Sequence, residues 1–184
     1  LFCARNPASR PITSTKKITG AMKLVASAKL RKAQNRIDNF SVYNDSLTVM
    51  LENALQNVSD SNISIGKKVK EETRFAILAF SSNGTLCGAF NHNVTRALDA
   101  MMEHPSFAMA ESISFFGFGK RVSQHIQKSI IDTDESGRFS LERHDALTEK
   151  PDYQSVSRIS DKLLDQIEKG EIHRLIVVYN HFKN

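Results

Sequence analysis

Between Pro11 and Pro105 the chain contains no proline, and from Thr13 to about Val58 its only glycine is Gly20. The stretch is rich in Ala, Lys, Leu, Arg and Gln, all good helix formers. It predicts a single helix over residues 12–58, with Thr13 or Ser14 as its cap. At about 1.5 Å per residue such a helix reaches roughly 65–70 Å, longer than a small domain is wide. From Ala26 a stripe advances in steps of four and three through Leu30, Ala33, Ile37, Phe40, Asn44, Leu47, Leu51, Ala54 and Val58. That is a coiled-coil repeat. Its one polar member, Asn44, is of the kind that fixes register. An apolar edge of this length needs a partner of similar length. The other helical patterns, near residues 92–104, 119–128 and 153–169, are each short. The partner is therefore expected in another chain or in a segment outside this sequence. Upstream of the seam, Gly20, Ala21, Ala26, Ser27 and Ala28 make the helix thin, and lysines and arginines project among them.

Charge is distributed unevenly. Of the 25 Lys and Arg, nine lie in residues 1–37 (Arg5, Arg10, Lys16, Lys17, Lys23, Lys29, Arg31, Lys32 and Arg36), where there is no Asp or Glu. The remainder carries 16 basic against 20 acidic residues. The basicity belongs to one element, which calls for an acidic partner: nucleic acid, an anionic membrane surface or an acidic protein. Residues 12–37 contain no aromatic side chain, which argues against stacking on single-stranded nucleic acid. No run approaches the roughly 18 apolar residues of a membrane span. Residues 1–11, basic and holding Pro7 and Pro11, read as an atypical or disordered N-terminus.

Residues 59–73 are polar and read as a linker to an α/β domain over 74–184. Buried strands are expected at Arg74–Ser81, Ser112–Phe118 and His173–Tyr179, with a shorter third one at Ser129–Ile131. Helices are expected at His92–His104, Lys120–Lys128 and 153–169, and 132–150 reads as irregular. Strands alternating with helices predict a Rossmann-like, mainly parallel sheet with helices on both faces.

Few residues here suggest chemistry. The loop SSNGTLCGAFN, Ser81 to Asn91, places two glycines between a strand and a helix, where backbone amides could hold a phosphate. It lacks the lysine of a phosphate-binding loop and the GxGxxG spacing, so it reads as a tight turn. Gly117 and Gly119 have no third glycine at the required offset. Cys87 would need a histidine to act as a nucleophile, and His92 is the nearby candidate. Asp132, Asp134 and Glu135 read as a solvated turn. Cys3 and Cys87 build no disulfide framework, and the six histidines show no metal-ligand spacing. No catalytic residue, cofactor site or metal site is predicted.

Two of these stretches resemble the gamma subunit of rotary F-type ATP synthases. ITGAMKLVASAKLRKAQ, Ile18 to Gln34, is similar to that family's N-terminal helix signature. SSNGTLCGAFN is similar to its Ser-Ser-Asp-Arg-Gly-Leu-Cys-Gly loop, with Asn83, Gly84 and Thr85 departing from the family's Asp, basic residue and Gly. The spacing between the two and the YNHFKN ending also match. The resemblance implies a non-catalytic rotor shaft whose helix pairs with a second long helix that this sequence lacks. It implies alpha and beta subunits around the shaft, and an epsilon subunit and a membrane c-ring beneath it. Proton-driven rotation would then change the beta subunits' affinity for ADP, phosphate and ATP. On this resemblance Met22, Lys23, Lys29, Arg31 and Lys32 are expected to meet acidic loops of beta, and Leu86, Cys87 and Gly88 to meet epsilon or the c-ring. The signature has a bacterial style, which favours peripheral association with the cytoplasmic face of a bacterial inner membrane over a mitochondrial inner membrane. Two other functions fit parts of the sequence: a nucleic-acid-binding module using the basic helix, and a small Rossmann-like enzyme holding a nucleotide at Gly84–Gly88.

Overall fold

The structure, a computed structural model, describes residues 9–56 and 72–181, without the side chains of residues 9–12 and 55. The chain divides into two units, residues 1–62 and 63–184.

Within the first unit, helix α1 runs unbroken over Ser9–Gln56, 48 residues, or about 72 Å at 1.5 Å per residue. It begins earlier than the glycine and proline pattern suggests. Residues 9–11 belong to the helix, and Thr13 and Ser14 lie inside it rather than capping it. Pro11 is tolerated because the first turn has no intrahelical acceptor for its missing N–H, and its fixed φ already suits a helix. The hydroxyl residues that might have interrupted the helix bond back to it instead. Thr19 Oγ1 donates to the Thr15 carbonyl at 2.9 Å, Ser46 Oγ to that of Val42 at 3.0 Å and Thr48 Oγ1 to that of Asn44 at 2.9 Å. Seam residues Ala26, Leu30, Ala33, Ile37, Phe40, Asn44, Leu47, Leu51 and Ala54 are all exposed. Val58 and most of the expected linker lie outside the described residues.

The second unit is built on a sheet of four parallel strands in the order β3-β2-β1-β4. Its elements are β1 (Arg74–Phe80), α2 (Phe90–Met102), α3 (Pro105–Ala108), β2 (Ser112–Phe118), α4 (Lys120–Ile126), β3 (Phe139–Arg143), α5 (Tyr153–Glu168) and β4 (Arg174–Val178). The side-chain period of two along a strand sorts the core into two layers. Phe75, Ile77, Ala79, Ile113 and Phe115 meet Val94 and Leu98 of α2, Phe107 of α3, and Val122 and Ile126 of α4. On the opposite face Ala76, Phe116 and Phe118 meet Leu163 of α5 and Ile172. The chain steps outward from β1 to β3, then crosses the sheet through α5 to place β4 beside β1. The expected parallel sheet with helices on both faces is present.

One strand is displaced from its expected position. Ser129–Ile131 is not a strand but part of a π-helical turn, Gln127–Ile131, that prolongs α4 and delivers Ile130 to the core. The third strand is Phe139–Arg143, inside the stretch read as irregular. As an edge strand it alternates Phe and Leu with Ser, Glu and Arg, so no apolar run marks it. The acidic cluster is a turn, as read. Asp134 Oδ1 accepts from Ser136 N–H at 3.2 Å and Oδ2 from Arg138 N–H at 2.9 Å. The hydrogen bond from the Ser136 hydroxyl to Oδ1 is the main reason its carboxyl sits below the usual range.

At the opposite edge, β4 turns Leu175 and Val177 toward the α5 side of the sheet, where they remain 41% and 49% exposed.

Phe115 is 1% exposed at the centre of the larger layer. Phe115→Ala is expected to lower stability by about 3–5 kcal/mol, and exposed Leu164→Ala by no more than about 0.5 kcal/mol. Urea unfolding followed by circular dichroism measures both.

Candidate functional site

Two regions single themselves out, one in each unit. The first is the cationic half of α1. Successive residues of an α-helix are turned by about 100°. On that geometry Lys16, Lys17, Lys23, Lys29, Arg31, Lys32 and Arg36 spread over about two-thirds of the circumference. The remaining third holds the seam, with Ala26, Leu30 and Ala33. Met22, Lys29 and Arg36 recur every seven residues on a line beside the seam, and Arg31 and Lys32 lie away from it. All of these side chains are exposed. The cations therefore form a sleeve rather than a stripe, and no single flat surface can meet them all.

The second region is the loop between β1 and α2. The first amides of α4 have no acceptor in a preceding turn of the helix, and for Lys120, Arg121 and Val122 this loop supplies one. Lys120 N–H donates to Asn83 Oδ1 at 2.8 Å, Val122 N–H to Ser81 Oγ at 2.9 Å and Arg121 N–H to the Ser82 carbonyl at 3.3 Å. Ser123 N–H takes the Gly119 carbonyl at 3.1 Å. Asn83 also donates from Nδ2 to the Asp145 carbonyl at 3.1 Å and to Glu149 Oε1 at 3.0 Å. One side chain thus ties the loop to α4 and to the turn after β3. Asn91 closes the other end. Its Oδ1 accepts from Ser82 N–H at 2.9 Å and its Nδ2 donates to the Gly84 carbonyl at 3.1 Å. The contact is close enough that Gly119 (φ +111°) leaves no room for a side chain, since a Cβ there would lie 2.3 Å from the Ser81 carbonyl oxygen.

That arrangement answers the phosphate question geometrically. The amides of α4 that an anion would use are already engaged by protein oxygens. At the switch point between the C-terminal ends of β1 and β4, where open α/β sheets bind ligands, the cleft of about 450 Å³ is lined by Phe80, Phe90, Val177, Tyr179 and Asn180. It offers an apolar surface and no cation to a phosphate. Cys87 Sγ lies 3.2 Å from Ser82 Oγ, so its polar partner is a serine and not His92. Among the described residues no group of three or more His, Cys, Asp or Glu could hold a metal ion.

What the loop presents outward is its tip. Leu86 is 92% exposed, Cys87 is half-buried, and Gly88 turns the chain at φ +55° in the left-handed region. Sequence reasoning singled out these three residues but missed Asn83, whose role rests on partners 37 and 62 positions away. Only its place after Ser81-Ser82 in a strand-to-helix loop could have pointed to it.

The chain thus carries a long helix with an exposed seam and cations around its girth, and an α/β domain whose loop is closed by its own side chains. A family model described as ATP synthase matches residues 10–184. Proteins named ATP synthase gamma chain are 38% identical over 174 residues in Bacteroides thetaiotaomicron, 33% over 173 in Azobacteroides pseudotrichonymphae and 34% over 174 in Phocaeicola vulgatus. Each alignment covers 94% of this chain. The chain spans 55–58% of the length of these relatives. It belongs to the ATP synthase gamma-chain family. Among the described residues no helix is long and apolar enough to cross a membrane.

Asn83→Ala strips an acceptor from the Lys120 amide and two donations from the Asp145–Glu149 turn. It is expected to cost about 1–3 kcal/mol and to raise amide exchange at Lys120, as hydrogen–deuterium exchange would report.

Proposed function

We propose that this chain serves in the central shaft of a proton-driven ATP synthase, where it catalyses nothing and couples rotation to ATP synthesis. The observation that carries the reading is the distribution of charge on α1. Cations surround the helix on every side but the seam, which suits an element enclosed by acidic protein and held along its apolar edge by a second helix. A helix lying on nucleic acid or on a membrane would carry its cations on one face, with aromatic or apolar groups arranged to match. Membership of the gamma-chain family supports the same reading.

The enclosing partners are alpha and beta subunits. Lys23, Lys29, Arg31 and Lys32 meet acidic loops of beta, and Met22 packs beside them. Leu86, Cys87 and Gly88, held outward by the Asn83 and Asn91 network, face the epsilon subunit or the membrane c-ring. The chain is then peripheral, at the cytoplasmic face of a bacterial inner membrane, and needs no cofactor. Turning the shaft alters which contacts each beta subunit makes, and those differential contacts bias its conformations and so its affinity for nucleotide. Proton transport supplies the work.

Mixing the chain with alpha and beta subunits from a Bacteroides relative should give a stable complex by size-exclusion chromatography. The triple change Lys29→Glu, Arg31→Glu, Lys32→Glu should weaken that complex about tenfold or more, and Leu86→Ala should leave it intact. Failure of the unaltered chain to join the complex, or indifference to the charge reversal, would overturn the assignment.

A further inference from the structure

The two faces of the sheet are held differently. Helices α2 and α4 bury Val94, Leu98, Val122, Ser123 and Ile126, whereas α5 fully buries one residue, Leu163. The flank of α5 nearest β3 is polar. A groove of about 290 Å³ there is lined by Ser114, Ser140, Glu142, Lys162 and Gln166, with the Phe115–Phe116 segment of β2. Lys162 of α5 makes an ion pair with Glu142 Oε2 of β3 and passes over the Phe116 ring at 5.7 Å. Two residues further on, His144 stacks on Phe118 at 5.1 Å and on Phe116 at 6.2 Å. Its side chain is 14% exposed, and Nε2 lies 3.4 Å from Glu142 Oε1. That nitrogen is buried without a hydrogen bond. One carboxylate therefore has a lysine on one oxygen and an unpartnered imidazole nitrogen beside the other.

We propose that His144 is a proton-operated clasp on α5. While the ring is neutral, Glu142 is left to Lys162 and anchors the β3 flank of the helix. When the ring is protonated, the imidazolium takes Glu142, repels Lys162 and releases that flank. The inference does not depend on the rotor reading.

The surrounding charges leave no other outlet. Asp145 is the other nearby carboxylate, and it is already held by Ser123 Oγ at 2.7 Å on Oδ1 and by Arg143 at 2.7 Å on Oδ2. Phe116 and Phe118 of β2 supply only ring faces, and Lys162 is the charged group that α5 brings to the ring. Burial is the largest influence on His144 and pushes its pKa below the ordinary value. Glu142 and Asp145 raise it, and Lys162 lowers it. The unfolded chain therefore takes up this proton before the folded one does. The contribution of His144 to stability is complete above the ordinary imidazole value and declines as pH falls through that value toward the lower folded one.

Hydrogen–deuterium exchange of the full chain at about pH 7.5 and about pH 5.5, corrected for the intrinsic pH dependence of amide exchange, tests the clasp. Exchange in 153–168 is expected to accelerate at least about threefold at the lower pH, with α2 and α4 unchanged. His144→Phe, which keeps a ring among rings, should abolish the step. Acceleration that is equal in all three helices, or that persists in His144→Phe, would overturn the proposal. Should that variant fold poorly, an NMR titration of the unaltered chain decides instead. The His144 ring protons and the α5 amides must share one midpoint below the ordinary histidine value, and α5 shifts with a different midpoint, or none, would refute it.

Discussion

An apolar edge running about 42 Å from Ala26 to Ala54 cannot be buried by the helix that bears it, and the rest of α1 follows from that constraint. Isolated helices gain little from backbone hydrogen bonding alone, and most helical stability in proteins comes from packing an apolar face. Here the composition does what packing has not yet done. Alanine, leucine, lysine and arginine keep propensity high, and threonine and serine hydroxyls are folded back onto carbonyls of the preceding turn. Pro11 falls in the first turn, where its missing donor costs nothing. The helix is written to persist with its edge exposed.

The second unit solves a different problem, which is how to fix a loop tip in space without rigid secondary structure. Its answer is to saturate the neighbourhood with hydrogen bonds. Serine and asparagine side chains of the loop serve as the cap that α4 lacks, and Gly119 allows the loop backbone to come within contact distance. A fold able to receive a phosphate at this point has used the same amides to steady Leu86 instead. This is why a sheet topology shared with many nucleotide-binding proteins implies nothing about nucleotides here.

The long helix, the parallel sheet and three of its four flanking helices were legible in the sequence because each imposes a regular pattern; the four-residue α3 is too short to do so. The exceptions have local causes. Ser129–Ile131 looks like a strand because three residues are too few to separate period two from a widened helical turn. Phe139–Arg143 does not look like one because an edge strand needs only half its side chains to be apolar. Asn83 was visible as a departure from a pattern but not as a structural hub, since its partners are brought near only by the crossover from β1 to α4. His144 carried no sequence signal at all. Its environment is assembled from Phe116 and Phe118 on one strand, Glu142 on another and Lys162 on a helix.

The exposed Leu175 and Val177 of β4 have a consequence for how such a chain fares in a cell. Among the described residues no strand pairs with the outer edge of β4; such an edge with bare aliphatic side chains is a template for further strands, and neither proline nor an inward-pointing charge guards the Leu175–Val178 stretch. Copies made in excess of whatever covers that edge would compete to cover it with one another. Keeping that edge covered is therefore a matter of solubility as much as of fold.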